Sequence, residues 1–236
     1  MRALRVLVIL VVVFGGLFVA ADRLAVNFAE DKAAEKIRGS QGLDKAPDVS
    51  IKGFPFLTQV AGRSLDEVDA KLDGIRTSSE GKQLRIQELS AQFHDVKLTS
   101  DFSSIESAAR ATGTAHISYA DLTKAAGADV EIGYAGQKNG NGQVKIVPRL
   151  AGLPALNSLE VTGTVTVVDR TTIQVRADHL PSLCLSLPGC ESKVRERTDH
   201  SWKLDRLPGG LKLDRVEASP DGVKISASGT NVKITG

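Results

Sequence analysis

The sequence is poor in aromatic residues and in histidine, and each shortage narrows the class of protein. Aromatic residues make up 4% of the chain, whereas Val, Ile, Leu, Ala, Thr and Gly are plentiful. This composition suits long strands with an aliphatic face better than a tightly packed helical bundle. The four histidines, His94, His116, His179 and His200, are scattered without an HExxH motif or an i, i+4 pair. We therefore expect neither a bound metal nor another cofactor.

The chain also lacks an excess of charge of one sign once its N-terminal segment is set aside. The whole sequence has 30 Lys and Arg residues against 28 Asp and Glu, and without Arg2 and Arg5 the basic total falls to 28. Non-specific nucleic-acid binding depends on a basic surface that neutralises phosphates. We therefore expect no nucleic-acid partner.

No motif gathers the side chains of a catalytic site. Residues 62–66 (GRSLD) come close to a GxSxG nucleophile elbow but lack the second glycine, and residues 79–82 (SEGK) match SxxK only by letter. We expect a protein without enzymatic activity. Two alternatives stay open: an exported hydrolase that uses Ser64 or a pair of carboxylates beside a histidine, and a structural envelope module with a filled interior.

Cysteine is scarce as well, because Cys184 and Cys190 are the only two in the chain. A redox pair or a metal site would call for CxxC spacing or neighbouring histidines, and neither is present. The Pro-Gly pair between the two cysteines can fold the intervening segment back on itself. We expect a disulfide that closes this short loop and contributes about 2 kcal/mol in an oxidising compartment.

What the sequence does contain is a long apolar run near its start. The sixteen residues from Val6 to Ala21 are apolar or glycine, with two arginines before them. At about 1.5 Å per helical residue the run spans about 24 Å, against roughly 30 Å of bilayer hydrocarbon. Residues 1–21 are therefore a signal peptide cleaved after Ala21 or an N-terminal membrane anchor. In either case the basic residues orient the remaining chain outside the plasma membrane.

After this run the hydrophobic pattern is mostly that of strands, and no long linker divides it. We therefore expect a single domain over residues 22–236. It starts with an amphipathic helix over residues 22–38, which can continue the apolar run directly. Strands are expected at residues 49–51, 68–72, 84–93 and 105–117, hairpins across residues 138–142, 169–171 and 219–222, and helices from a Ser118 N-cap to Ala126 and over residues 191–202.

The strand at residues 105–117 has an unusual face. Its alternate positions from Ile105 to Ile117 carry Ser, Ala and Gly between the two isoleucines. Side chains at alternate positions point to one side of a sheet, so this face lacks bulk. It either lines a groove for a lipid or packs closely on the N-terminal helix.

Residues 54–57 (FPFL) concentrate three large apolar side chains around a rigid proline. Such a segment suits a hydrophobic gate or a loop that touches a membrane. The alternative is a corner between two elements that is buried in the core. Periodicity does not separate the two.

Three segments together resemble a known family. Residues 49–59 (VSIKGFPFLTQ), residues 113–122 (GTAHISYADL), and the closing residues 207–211 (LPGGL) with 221–225 (DGVKI) are similar in order and spacing to the LmeA-like phospholipid-binding proteins of actinobacterial cell envelopes. The GFPFLTQ element is the most specific of these. The resemblance covers most of the chain from about Ala21 onward.

The resemblance implies an α+β fold like that of the tubular lipid-binding superfamily, in which a long, strongly curved antiparallel sheet wraps a helix and encloses an apolar tunnel. It implies binding of phosphatidylinositol-type or related phospholipids at the outer surface of the plasma membrane. It also implies a supporting role in lipoglycan or glycolipid assembly, with envelope glycosyltransferases as partners. The residues that we expect to border or line the lipid site are Phe54, Phe56, Leu57, Val68, Leu72, Ile117, Tyr119, Leu122, Ile132 and Tyr134.

Overall fold

The computed structural model of the chain describes residues 2–79, 82–127, 130–138, 141–148, 160–180, 184, 186, 188–203 and 207–234. The elements in chain order are α1 (Arg2–Gln41), β1 (Asp48–Lys52), α2 (Phe56–Ala61), β2 (Ser64–Ser79), β3 (Lys82–Leu98), β4 (Ile105–Ile117), α3 (Tyr119–Ala126), β5 (Val130–Lys138), β6 (Asn141–Pro148), β7 (Val161–Val168), β8 (Thr172–His179), α4 (Cys190–Thr198), β9 (His200–Lys203), β10 (Gly209–Ser219) and β11 (Gly222–Lys233).

The strands form two sheets. One has six strands in the order β1-β2-β3-β4-β11-β10, and the other has five in the order β5-β6-β7-β8-β9. The β1–β2 pair is antiparallel, as are all four pairs of the second sheet. The expected α+β fold with antiparallel sheets and a long N-terminal helix is therefore confirmed, whereas the apolar tunnel stays a prediction.

The chain forms two compact units, each with its own core. Unit 1 comprises Met1–Lys71, Gln92–Ala111 and Thr230–Gly236, and unit 2 comprises Leu72–Ala91 and Thr112–Gly229. The expectation of a single lipid-binding domain over residues 22–236 stays a prediction.

Unit 1 is organised around the second half of α1. This helix runs without a break from the apolar run into the amphipathic segment, as the sequence allowed, and its buried residues are Asp22, Val26 and Ala34. Their spacing of four and eight residues places them on one face of the helix. The core that this face joins contains Val26, Phe56, Leu65, Val68, Val96 and Ala108. The apolar spacing along the helix thus matches the strands that cover it.

Unit 2 contains the predicted hairpins. Strands β5 and β6 pair through Lys138 and Asn141, while residues 139–140 of the predicted turn lie outside the described residues. Strands β7 and β8 join through Asp169 and Arg170, both with φ near +54°, as in the type I′ turn that matches strand twist. The core includes Val144, Ile146, Val165, Val175, Val216, Ala218 and Val223.

Two local predictions were wrong. The helix expected over residues 191–202 ends at Thr198, because the side chain of Asp199 accepts the backbone N–H of Ala177 at 2.9 Å and the chain then joins β8 as strand β9. On β4, Ala108 is buried although it has the opposite parity from Ile105, and Ala109 is exposed. Two successive outward-facing residues before buried Ala111 are typical of a β-bulge.

Candidate functional site

The apolar run emerges from unit 1 as an uncovered helix. Large apolar side chains of α1 from Leu4 to Val19 are between 41% and 67% exposed. By length and composition α1 could cross a membrane, a test that an N-terminal signal sequence also passes. The run therefore presents apolar surface on every side of the helix. The candidate site lies where this run meets the folded part of unit 1.

A buried carboxylate joins the end of the run to α2. The side chain of Asp22 is fully buried, and its Oδ1 accepts the backbone N–H of Leu57 at 2.8 Å, while Arg23 donates to Oδ2 at 2.6 Å. Helix α2 follows Pro55, which has no side-chain group that could cap it. Because the first N–H groups of a helix lack partners within it, Asp22 acts as the missing cap from another helix.

The FPFL segment divides between core and surface. Phe56 is 6% exposed and packs in the same core as Val68, whereas Phe54 is 57% exposed and Leu57 37% exposed. The predicted buried corner and the predicted exposed apolar loop therefore apply to different residues of this segment. Phe56 is buried in the core, and Phe54 and Leu57 are the exposed apolar side chains.

Helix α1 adds two further exposed apolar residues at the same level. Leu24 is 71% exposed and Phe28 is 64% exposed. At 100° per helical residue, Leu24 lies about 200° around α1 from Asp22 and therefore on the side away from α2. We call Leu24, Phe28, Phe54 and Leu57 together the exit surface. Leu24 and Phe28 were missed from the sequence, although their i, i+4 spacing directly after the apolar run was a usable signal.

Cations accompany both aromatic rings of the exit surface. The guanidinium carbon of Arg23 lies 5.3 Å from the centre of the Phe54 ring, and the Lys32 ammonium lies 5.6 Å from the centre of the Phe28 ring. An aromatic ring paired with a cation presents an apolar body and a charged tip. Such pairs are typical of the layer where a membrane meets water.

The remaining predicted site residues belong to unit 2 and are mostly packed. Leu72 and Ile117 are buried. Tyr119, Leu122 and Tyr134 are partly buried against the unit 2 core. The backbone N–H of Ile132 donates to the hydroxyl of Thr123 at 2.9 Å.

Tyr119 also makes a hydrogen bond that fixes its ring. Its hydroxyl donates to the carbonyl oxygen of Ser219 at 2.8 Å. Burial of the phenol, with smaller effects from the nearby Tyr134 and Asp221, raises the pKa of Tyr119 to about 12. The helix that carries it begins as predicted, because Ser118 Oγ accepts the N–H of Asp121 at 3.1 Å. The ISYADL segment is thus held in place by several polar contacts.

The predicted disulfide is present between Cys184 and Cys190, whose Cα atoms are 5.3 Å apart. Both cysteines pack in a small core of unit 2 with Val161, Ala177 and Val194. The bond therefore closes a short loop in unit 2, as expected, and secures the start of α4.

Unit 1 also carries an open cleft of about 580 Å³. Ser64, the candidate nucleophile of the hydrolase alternative, lies in its wall. That alternative would require a histidine beside the serine, and the lining residues contain none. They are Gly62, Arg63, Ser64, Lys97, Leu98, Thr99, Ser100 and Glu106.

Comparison with known proteins identifies a family. The family model described as LmeA-like phospholipid-binding matches residues 20–228. No curated protein and no solved structure matches the chain. The matched range begins just before Asp22 and includes the exit surface, the cleft, the disulfide and all ten predicted lipid-site residues.

Proposed function

The chain belongs to the LmeA-like phospholipid-binding family, and from this membership we propose that it is a non-catalytic carrier that takes phospholipid from the outer surface of the plasma membrane. The observation that supports this proposal is the exit surface, where four large apolar side chains are exposed next to the apolar run of α1. A phosphatidylinositol-type lipid is the ligand that we expect. Presentation of this lipid to envelope glycosyltransferases, for lipoglycan or glycolipid assembly, is the role that we propose for it.

The free energy of acyl-chain burial is consistent with reversible transfer of a phospholipid between the protein and a membrane. Each buried methylene of an acyl chain contributes about 0.8 kcal/mol relative to water. A bilayer offers the same chain almost the same environment, so the net preference between protein and membrane is small. A protein that holds lipid apart from water therefore exchanges it with a membrane without a chemical step.

The arrangement of the exit surface favours a bilayer over a protein partner. Phe54 and Leu57 lie on the α2 side of α1, whereas Leu24 lies on the far side. A protein partner covers one side of a helix, but a bilayer surrounds it. Along the helix axis, Phe28 is about 6 Å beyond Leu24, which is comparable to the thickness of one headgroup layer.

We further propose that the N-terminal run is retained as an anchor. The sequence interrupts the run at Asp22 and Arg23, but the carboxylate of Asp22 is fully buried under α2 and Arg23 pairs with it. An exposed apolar side chain, Leu24, follows directly. From Leu4 to Leu24 the helix spans about 31 Å, close to the roughly 30 Å of bilayer hydrocarbon. N-terminal sequencing of the native protein should therefore find the start of the run, and a product that begins at Asp22 would exclude the anchor.

The carrier proposal is tested by lipid content and lipid uptake. Native mass spectrometry of the full chain, purified from membranes in mild detergent, should show a bound phospholipid. A bare protein mass under these conditions would contradict the proposal and support the structural module instead. Uptake is then followed in vesicles that contain the full chain and a self-quenched fluorescent phospholipid.

The matched variants in the uptake assay are Phe54→Ser with Leu57→Ser, and Val168→Ser as the control. Because the first pair removes apolar contact with the bilayer, we expect uptake to slow by about tenfold or more. Val168 is a partly exposed apolar residue of unit 2 outside the exit surface, so its substitution should leave the rate unchanged. An unaltered rate in the folded double variant would remove the exit surface from the mechanism.

A further inference from the structure

The cleft of unit 1 is built around an arginine with an uncommon backbone conformation. Arg63 has φ +54°. Its N–H donates to the carbonyl oxygen of Val60 at 2.9 Å, and its own carbonyl oxygen accepts the N–H of Leu98 at 3.0 Å. The residue is therefore held from both sides at the junction of α2 and β2. A non-glycine residue stays in this region only where its surroundings fix it.

Another part of the cleft wall is the loop between β3 and β4, which hydrogen bonds hold in place. Thr99 donates its N–H to the carbonyl oxygen of Ser104 at 3.0 Å. Asp101 accepts the Thr99 hydroxyl at 2.6 Å and the N–H of Ser103 at 3.2 Å. These hydrogen bonds, with that from Thr99 the largest effect, hold the pKa of Asp101 well below its usual range. The carboxylate of Asp101 is therefore engaged within the loop.

The charges that line the cleft are unequal. Arg63 and Lys97 both line it, and within the part of the chain that the structure describes neither side chain forms an ion pair. Glu106 is the single carboxylate in the lining, beside the hydroxyls of Ser64, Thr99 and Ser100. The cleft thus combines these two cations with the hydroxyls of Ser64 and Ser100 and with one acid, so its lining carries one excess positive charge.

Phe102 supports the guanidinium of Arg63. The guanidinium carbon lies 5.7 Å from the centre of the Phe102 ring, and this phenylalanine is 49% exposed. A guanidinium held near an aromatic ring loses less conformational freedom when its N–H groups bind an anion. This arrangement explains why a large apolar side chain stands at the tip of an otherwise polar loop.

We propose that this cleft binds a phosphate ester through Arg63 and Lys97, with the phospholipid headgroup as its source. The inference rests on the proposed lipid-binding function and adds to it a site for the charged end of the lipid. Arginine and lysine form charge-assisted hydrogen bonds with phosphate oxygens. The hydroxyls of Ser64 and Ser100 complete the set of donors, because that of Thr99 is engaged by Asp101. The volume of about 580 Å³ falls within the range of small-ligand sites, but charged walls do not suit acyl chains.

The test uses soluble probes of the headgroup with the full chain in maltoside micelles. Backbone amide NMR signals of Ser64, Thr99 and Ser100 are followed during titration with glycerophosphoinositol, inorganic phosphate and uncharged inositol. We expect both phosphate compounds to shift these signals and inositol to leave them in place. A larger response to glycerophosphoinositol assigns the site to the lipid headgroup, and an equal response assigns it to free phosphate.

The variants separate the cleft from general surface charge. Arg63→Ala with Lys97→Ala should weaken phosphate binding by about tenfold or more. The control, Arg176→Ala with Lys224→Ala, removes the same charge from exposed strand positions outside the cleft and should bind as the wild type does. Because Arg63 is part of a fixed junction, Lys97→Gln serves as a second variant that leaves the junction intact, and it should bind several-fold more weakly.

Two results would overturn the inference: no shift with either phosphate compound, or the same affinity in the wild type and Lys97→Gln. Neither result depends on acyl-chain binding. If native mass spectrometry shows bound phospholipid while the cleft does not respond, the carrier function stands and the headgroup site is wrong. If phosphate binds the cleft but no phospholipid is carried, the carrier function fails and free phosphate is the ligand.

Discussion

The GFPFLTQ element of unit 1 and the ISYADL element of unit 2 both carry the family resemblance, yet they use their apolar residues differently. Phe54 and Leu57 are left exposed around a buried Phe56. In ISYADL, Tyr119 and Leu122 lie partly buried against the unit 2 core, and the tyrosine hydroxyl is hydrogen-bonded. Apolar side chains that the fold leaves exposed are available for contact with a partner. The packed ones are explained by the fold itself.

Unit 1 shows the same contrast within one segment. Substitution of Phe56 removes a core side chain, whereas substitution of Phe54 removes one that is 57% exposed. We expect Phe56→Ala to lower the free energy of unfolding by about 3–5 kcal/mol, because a buried phenylalanine leaves a cavity. Phe54→Ala should change it by less than about 1 kcal/mol. Urea unfolding of the full chain in mild detergent measures both values.

The same pair of variants sharpens the comparison in the uptake assay. Phe54→Ala should slow lipid uptake per folded molecule, although it leaves stability nearly unchanged. Phe56→Ala should reduce the amount of folded protein first. Equal losses of stability in the two variants would show that Phe54 is packed in solution, and the exit surface would then not be available to a bilayer.

Several elements of the fold could be predicted from the sequence, because the local sequence patterns agree with the tertiary structure. The apolar run and the amphipathic stripe formed one helix, α1. Asp169 and Arg170 form the expected hairpin turn, and Cys184 and Cys190 pair across the short loop. In each case the residues that decide the structure are neighbours in sequence.

The failures arose where distant contacts decide the outcome. Helix α4 stops at Thr198 because Asp199 binds the backbone of β8, which no local pattern shows. The buried face of β4 shifts near Ala108, which packs in the same core as Val26 of α1. The cleft was likewise invisible, since Arg63 and Lys97 are 34 positions apart in the sequence and only the strand pairing brings them together. In the sequence Asp22 marks the end of the apolar run, but in the structure it is buried under α2 and caps that helix.

The smallest expected effect concerns Tyr119, the packed counterpart of Phe54. Tyr119→Phe removes the hydrogen bond to Ser219 and should lower the free energy of unfolding at neutral pH by about 1 kcal/mol. Lipid uptake per folded molecule should stay at the wild-type rate, because Tyr119 packs against the unit 2 core and lies outside the exit surface. A slower rate in a folded variant would instead place the phenol at the lipid site.

Alkaline pH gives a second readout for the same variant. The pKa of Tyr119 is raised to about 12 in the folded chain, above the value of about 10 for an unperturbed tyrosine. The folded state therefore holds its proton more tightly, so this contribution to stability is complete below about pH 10 and is lost as pH rises toward 12. Wild-type stability should fall more steeply over this window than that of Tyr119→Phe, as measured by urea unfolding at several pH values. Parallel curves would mean that the phenol is solvated, and the contrast between a packed ISYADL and an exposed FPFL segment would no longer hold.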